Sequence, residues 1–259
     1  MEQLEVRIIS LKQTPENIKN VRSVFPQVGV QPAVDMRGVA PFVMRRANLI
    51  TRSGLDTLEK GRKWHKELTS GGAVGLQNSL RLVLEGGAGP ILVLEDDCAM
   101  TPELFAHVER LVHRQHEFDV AVIGCILMEG ATADVDVAPR PWCEPTGAPF
   151  SFILTHCVLY TARGRSKVAD ALAEPQEVQI DALMSMMVRE GDLRMLLYPR
   201  RDLAWQKMHM TTIQDNCALC FLSPNVNIVR VVAVALLTLA TAGLLVHLYR
   251  RRGRRVAVR

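Results

Sequence analysis

No N-terminal export signal is visible: the first apolar stretch, Val6 to Leu11, is far too short for a signal h-region and follows Glu2 and Glu5 where a basic n-region is expected. The chain also lacks internal breaks. No repeat, linker or low-complexity segment interrupts residues 1 to 225, which excludes an array of modules and points to one domain. Cysteine is sparse and unpatterned. Of Cys98, Cys125, Cys143, Cys157, Cys217 and Cys220, only the last two form a CxxC, and no second CxxC or HxxxH completes a zinc cluster. The six are read as unmodified thiols, with a disulfide, a lipidation site or half of a metal site left open for the Cys217–Cys220 pair. Finally, acid is absent from Arg230 to the end, a stretch that holds seven arginines.

That last absence changes the meaning of the overall charge. The 259 residues (28.8 kDa) are 48% hydrophobic and 22% charged, enough for a sizeable core, so disordered and small disulfide-scaffold classes are excluded. A net charge of +4 and a pI near 8.8 suggest polyanion binding when taken as a property of the whole. With seven of the 31 basic residues in the tail, the first 229 residues carry 24 bases against 27 acids, a balance of −3. A nucleic-acid partner is therefore not expected.

Within the tail, Val231 to Tyr249 is a run of 19 residues without a formal charge, roughly 28 Å as a helix and so the thickness of a bilayer core. The five arginines of the following RRRGRR suit lipid phosphates. A buried core helix fits less well, because such a helix seldom lacks a polar stripe for five turns. The expectation is a single-pass C-terminal anchor, with 226–249 spanning and 250–259 an Arg-rich tail. The side of the membrane stays open: the positive-inside rule places the Arg-rich end in the cytosol, whereas a last-synthesised anchor without an export signal leaves the domain there.

The remainder alternates short apolar runs with helical patterns, as α/β folds require. Val6–Leu11 reads as a buried strand. Thr14-Pro15-Glu16 then supplies an N-cap, a first-turn proline and an acid on the positive helix end, with Ile18, Val21 and Phe25 at helical spacing. Gly75–Glu85 reads as a second helix ended by Gly86-Gly87-Ala88-Gly89-Pro90. Ile91–Leu94 reads as a central parallel strand, and Thr101-Pro102-Glu103 opens another helix. Further strands are expected at Val120–Gly124 and Phe152–Tyr160.

Three acids, Glu95-Asp96-Asp97, stand where the central strand ends, the place at which open α/β sheets bind ligands. Two unit charges about 4 Å apart cost on the order of 4 kcal/mol at an effective dielectric near 20, and a divalent cation turns that cost into attraction. Carboxylate oxygen favours Mg or Mn. If the backbone stays extended, Glu95 and Asp97 share one face and Asp96 the other. The alternative is a solvated turn that caps the next helix.

These residues resemble a family. Val93-Leu94-Glu95-Asp96-Asp97 is similar to the LEDD signature of glycosyltransferase family 25, the lipooligosaccharide and procollagen galactosyltransferases. The resemblance runs over about 6–213. Ile8-Ile9-Ser10-Leu11-Lys12-Gln13-Thr14-Pro15-Glu16 is similar to the family's ISL-x-R-x-P-E-R, Ala33-Val34-Asp35 to its A-x-D-G, and Gly72 to Ser79 to its G-E-I-G-C-x-x-S-H. Val122-Ile123-Gly124, His156 to Arg163, Asp181, and Pro199 with Gln206 follow in family order. The sequence departs at Leu80 (histidine in the family), at Asn17 and Ile18 (arginines) and at Met36 (glycine).

The resemblance implies a GT-A-like single Rossmann-type domain over 1–225 with a central, mostly parallel sheet. It implies transfer of a hexose, galactose or glucose, from a UDP-sugar to a hydroxyl of a glycan, lipid glycan or hydroxylated side chain, with Mn or Mg at the acids. By carry-over Asp97 is the metal ligand, with Glu95 as support, and a late histidine such as His209 completes the shell. Asp96, Glu95, Ser10, Lys12, Thr14, Asp35, Ser79 and Gln206 lie on the donor side. Asp181 is the acceptor-side carboxylate that takes the hydroxyl proton. Trp205 stacks on a sugar or packs in the core. A non-catalytic membrane interaction module of the same fold is the alternative, and a phosphohydrolase is weaker because Cys98-Ala99-Met100 precede Thr101.

Overall fold

The computed structural model describes residues 4–11, 15–62, 70–127, 152–199 and 202–206. The chain divides into two compact units, Met1–Asn216 and Cys217–Arg259. The expected anchor, with Val231–Tyr249, lies outside the described residues, as does the Cys217–Cys220 pair. Among the described residues no helix is long and apolar enough to cross a membrane.

The first unit is a mixed α/β fold around a six-stranded sheet. Its strands are β1 (Glu5–Ser10), β2 (Gly29–Pro32), β3 (Ile91–Glu95), β5 (Val120–Ile123), β8 (Cys157–Tyr160) and β9 (Met195–Tyr198), in the order β2-β1-β3-β8-β5-β9. β1 pairs in parallel with β2 and β3, and β5 in parallel with β9. Only β8 runs against its neighbours. The mostly parallel sheet expected from the sequence is present with one reversed strand inside it.

Apolar parity along each strand divides the core into two layers. Ile9, Ile91, Val93, Val120, Val122, Val158 and Met195 face one side, where Leu80, Val168 and Met184 cover them from α4 (Ser70–Glu85), α6 (Ala162–Ala173) and α7 (Ile180–Glu190). Ile8, Leu92, Leu94, Ala121, Ile123 and Leu159 face the other, under Val21 of α1 (Pro15–Val24) and Leu104 and Val108 of α5 (Glu103–His113). β3, β5 and β8 are buried on both faces, which is why these runs read as continuous apolar stretches. A third, smaller cluster joins Met44 of α2 (Pro41–Arg46), Leu55 and Leu58 of α3 (Arg52–Arg62), and Ala73 and Val74 of α4.

Several boundaries differ from expectation. α4 begins at Ser70 and not Gly75, because Gly71 and Gly75 serve as packing residues and do not break the helix. The single strand expected over Phe152–Tyr160 is two: β7 (Phe152–Ile153), paired with β6 (Ile126–Leu127), and β8 in the main sheet. Leu154 between them has φ 81°, which turns the chain out of one sheet and into the other. The acids do not continue the strand. β3 ends at Glu95, and Asp96 and Asp97 form a tight turn before β4 (Cys98–Met100), which pairs with β10 (Ala204–Gln206).

Candidate functional site

From β1 the chain crosses to β2 on one side and later to β3 on the other, so the β1/β3 boundary is the point where strand order reverses. Ligands of open α/β sheets sit at such points, outside the carboxyl ends. A groove of about 430 Å³, its open mouth included, lies there. Ile9 and Leu11 enter from the end of β1, Glu95 and Asp96 from the end of β3, and residues 33 to 37 from the segment after β2.

The far wall is the small-residue face of α4. Gly71, Gly75 and Ser79 recur every fourth residue, so they share one helix face. A Cβ on Gly71 would overlap the carbonyl of Met36, and one on Gly75 the carbonyl of Val34. Ser79 completes the contact: its buried hydroxyl accepts from Val34 N and donates to Gly75 O, both at 2.7 Å. Ser79, expected on the donor side, lines the groove while its hydroxyl holds the groove's backbone wall in place.

Each acid has its own donor. Ser10 Oγ donates to Asp96 Oδ2 at 2.9 Å, Thr155 Oγ1 to Glu95 Oε1 at 2.9 Å, and Gln206 Nε2 to Asp97 Oδ2 at 2.6 Å. The turn therefore puts Glu95 and Asp96 on the groove and Asp97 against β10, which replaces the alternating faces expected from an extended chain. Glu95 N also donates to His156 O at 3.0 Å.

Burial, and then the charge of Asp97, push the Glu95 carboxyl up to about 8, with Asp96 and Asp181 adding to the rise and Thr155 opposing it. Asp181 is thus within electrostatic reach of the triplet. It sits in the first turn of α7, accepts from Ala182 N at 2.9 Å, and is raised to about 6 by burial. At the other end of the groove, hydrogen bonds from the Arg37 side chain and backbone hold Asp35 down at about 2, with an ion pair of 2.6 Å. Lys12, Thr14 and His209 lie outside the described residues.

Sequence reasoning missed Thr155, Arg37 and Gly71, and gave Gly75 no packing role. Leu154, with φ 81°, adjoins the threonine that holds Glu95, and a branched side chain there costs on the order of 1–3 kcal/mol. Gly124 (φ 78°) is the other tight point: a Cβ would overlap the carbonyl of Ala204 and come within 2.8 Å of His156 Nε2. Gly124→Ala is expected to destabilise the fold by about 2 kcal/mol or more. Denaturant unfolding measures this, and a loss below about 0.5 kcal/mol contradicts it.

The acids give a pH dependence of definite sign. Between 4.5 and about 8 the folded chain keeps a proton on Glu95 that the unfolded chain has released, so stability falls as pH rises through that window. Asp181 adds the same sign between 3.8 and about 6. In metal-free buffer, urea midpoints are expected to decline toward pH 8, and Glu95→Gln to remove most of the decline above pH 6. An unchanged slope in the variant contradicts this.

Some divalent cations are held by only one or two carboxylates together with substrate phosphates, and Glu95 and Asp96 both line the groove. Among the described residues no group of three or more His, Cys, Asp or Glu side chains is placed to hold a metal ion. Burial raises Glu95 most, and the charges of Asp97 and Asp96 add to the rise, so positive charge is favoured beside the triplet.

No family model matches the chain, and no curated protein matches it. Among solved structures it is similar to S. aureus TarS 1-349 in complex with UDP-GlcNAc, with a TM-score of 0.43 and 11% identity over 79% of this chain and 58% of that one. The unliganded TarS 1-349 structure gives 0.42 and 12% over 80% and 60%. Mouse xyloside xylosyltransferase 1, apo form, gives 0.35 and 11% over 74% and 84%. These likenesses are remote, and the chain spans about three fifths of the length of the TarS structures it matches.

Proposed function

We propose that the chain is a membrane-anchored, GT-A-like glycosyltransferase related to family 25. It transfers a hexose, galactose or glucose, from a UDP-sugar to a hydroxyl of a glycan, lipid glycan or hydroxylated protein side chain. One observation carries the reading. A groove at the strand-order reversal is closed on one side by a flat glycine face and floored by Glu95 and Asp96, with Asp97 next in sequence and Asp181 within electrostatic reach.

Mn or Mg, held by Asp97 with Glu95 in support, would supply positive charge for the developing charge on the leaving diphosphate. The protein's own residues do the rest. The close packing of the 34–36 backbone on the α4 glycines fixes one wall of the groove, and the Asp35–Arg37 pair offers polar partners at its edge. Ser10 and Thr155 fix the orientation of Asp96 and Glu95. Asp181, raised to about 6 by burial, lies near enough to neutral pH to accept the proton of an incoming hydroxyl.

The test is a profile of nucleotide-sugar hydrolysis across donors, run beside thermal shift with UDP and Mn. UDP-hexose hydrolysis that needs Mn, with a raised Tm in UDP plus Mn, is the expected result. Neither effect with any donor favours the non-catalytic membrane interaction module, consistent with Leu80 being 4% exposed in the core where the resembled family carries a histidine.

A further inference from the structure

The short helix α2 presents its apolar residues to solvent. Only Met44 turns inward, fully buried against Ile50, Leu55 and Leu58. At about 100° per residue the direction opposite Met44 falls between Phe42 and Arg46, with Val43 and Arg45 on the flanks. Phe42 is 71% exposed and Val43 43%, and both arginines are exposed. The outward face is thus an aromatic ring and a branched aliphatic side chain set among guanidinium groups.

Between Asp35 and Asp56 the chain around α2 is basic. From Met36 to Leu55 there are four arginines, Arg37, Arg45, Arg46 and Arg52, and no acid, although the first 229 residues as a whole are net acidic. Arg37 is paired with Asp35. Arg45, Arg46 and Arg52 form no ion pair among the described residues. Arg52 opens α3, whose first turn has no acid, so it adds to the positive helix end and does not offset it.

Exposed Phe and Val inside a basic ring match one environment well: the boundary between acyl chains and headgroups of an anionic bilayer, where the apolar groups leave water and the arginines reach phosphates. We infer that α2 is a membrane-docking patch that seats Phe42 and Val43 in an anionic lipid surface, with Arg45, Arg46 and Arg52 on the lipid phosphates. A second copy of the chain is disfavoured, because two such patches repel. Met36 lines the groove and packs on the cluster that anchors Met44, so docking holds the groove's edge close to the lipid surface. The inference stands on α2 and does not require transferase activity.

The experiment uses the full chain carrying Phe42→Trp, reconstituted in vesicles of phosphatidylcholine alone or with about a third phosphatidylglycerol, both with brominated acyl chains. Quenching is measured against the parent chain, whose Trp64, Trp142 and Trp205 give the background. Extra quenching at least about twofold greater in the anionic vesicles, and lost when Arg45→Glu and Arg46→Glu are added, is the expected result. Amide exchange over 40–48 in the unaltered chain is expected to slow by about tenfold on anionic vesicles only. Equal quenching in both vesicles, or quenching unchanged by the glutamates, overturns the inference. Equal slowing by soluble RNA or polyglutamate overturns it too, since the patch then binds polyanions without lipid.

Discussion

Replacing Arg165 by methionine is expected to destabilise the fold by about 3–5 kcal/mol, the range for removing one partner of a buried charge network. Arg165 is 2% exposed and lies on α6, far in sequence from everything it touches. Its Nε donates to Leu84 O at 2.7 Å, and its two terminal nitrogens to Val83 O at 3.0 Å, Gly89 O at 3.1 Å and Glu5 Oε2 at 2.8 Å. Val83 and Leu84 belong to the last turn of α4, whose carbonyls have no helical partner and carry the negative helix end. One guanidinium therefore caps α4, holds the turn after it and ties β1 to both. Gly87 leaves room for it, since a Cβ there would come within 2.8 Å of Arg165 Nη2. Lysine has no fork of donors and is expected to rescue little. Glu5→Gln is expected to cost less, because Glu5 is partly exposed and is also bonded by Arg7 at 2.7 Å. Urea unfolding orders the three variants, and an Arg165→Met loss below about 1 kcal/mol contradicts the network account.

Arg165 also shows where sequence reading stops. In Ala162-Arg163-Gly164-Arg165-Ser166-Lys167 it looks like one more surface cation, and only carbonyls 76 or more residues away make it a core residue. The main strands were legible for the opposite reason. β3, β5 and β8 are buried on both faces, so an apolar run suffices to mark them, as do proline and acid at the start of α1. β2 was not legible, since four residues ending in Pro32 at the sheet edge carry no periodicity. The break at Leu154 was hidden as well, because leucine gives no sign of a positive φ.

At the site, some of the residues singled out from the sequence share one groove, but their connections were not legible. Ser10, Asp35, Ser79, Glu95 and Asp96 do meet around one groove or its supports, and Asp181 lies within their field. The turn at Asp96-Asp97, the hydroxyl of Thr155 and the flat α4 face arise from tertiary contacts, which spacing along the chain does not encode. The inward Gly71 and Gly75 had a signal, a four-residue repeat of small side chains completed by Ser79, that is readable as a close-approach face once a helix is assumed.

On the proposed transferase function, Asp97→Asn is expected to lower UDP-sugar turnover by on the order of 10²–10³-fold, the effect of deleting one preorganised electrostatic group at a reacting centre. The same change is expected to stabilise the metal-free protein near pH 8. Asp97 is the leading charge that raises Glu95, so its neutralisation lets Glu95 ionise at lower pH and weakens the stability loss through that window. Activity down with stability up is the signature of acids kept together against their own repulsion for a ligand. A merely structural role predicts that both fall together. Gln206→Ala leaves the charge intact and acts through it. Its amide holds Asp97 Oδ2 at 2.6 Å, so it is a positioning residue, expected to cost about 10–100-fold and to raise the Mn concentration needed for half-maximal rate. Turnover measured against Mn, beside urea midpoints at two pH values, separates the cases. Full activity in Asp97→Asn removes the triplet from the reaction, and a Gln206→Ala defect that excess Mn leaves untouched moves its role from Asp97 to the packing of β10 on β4.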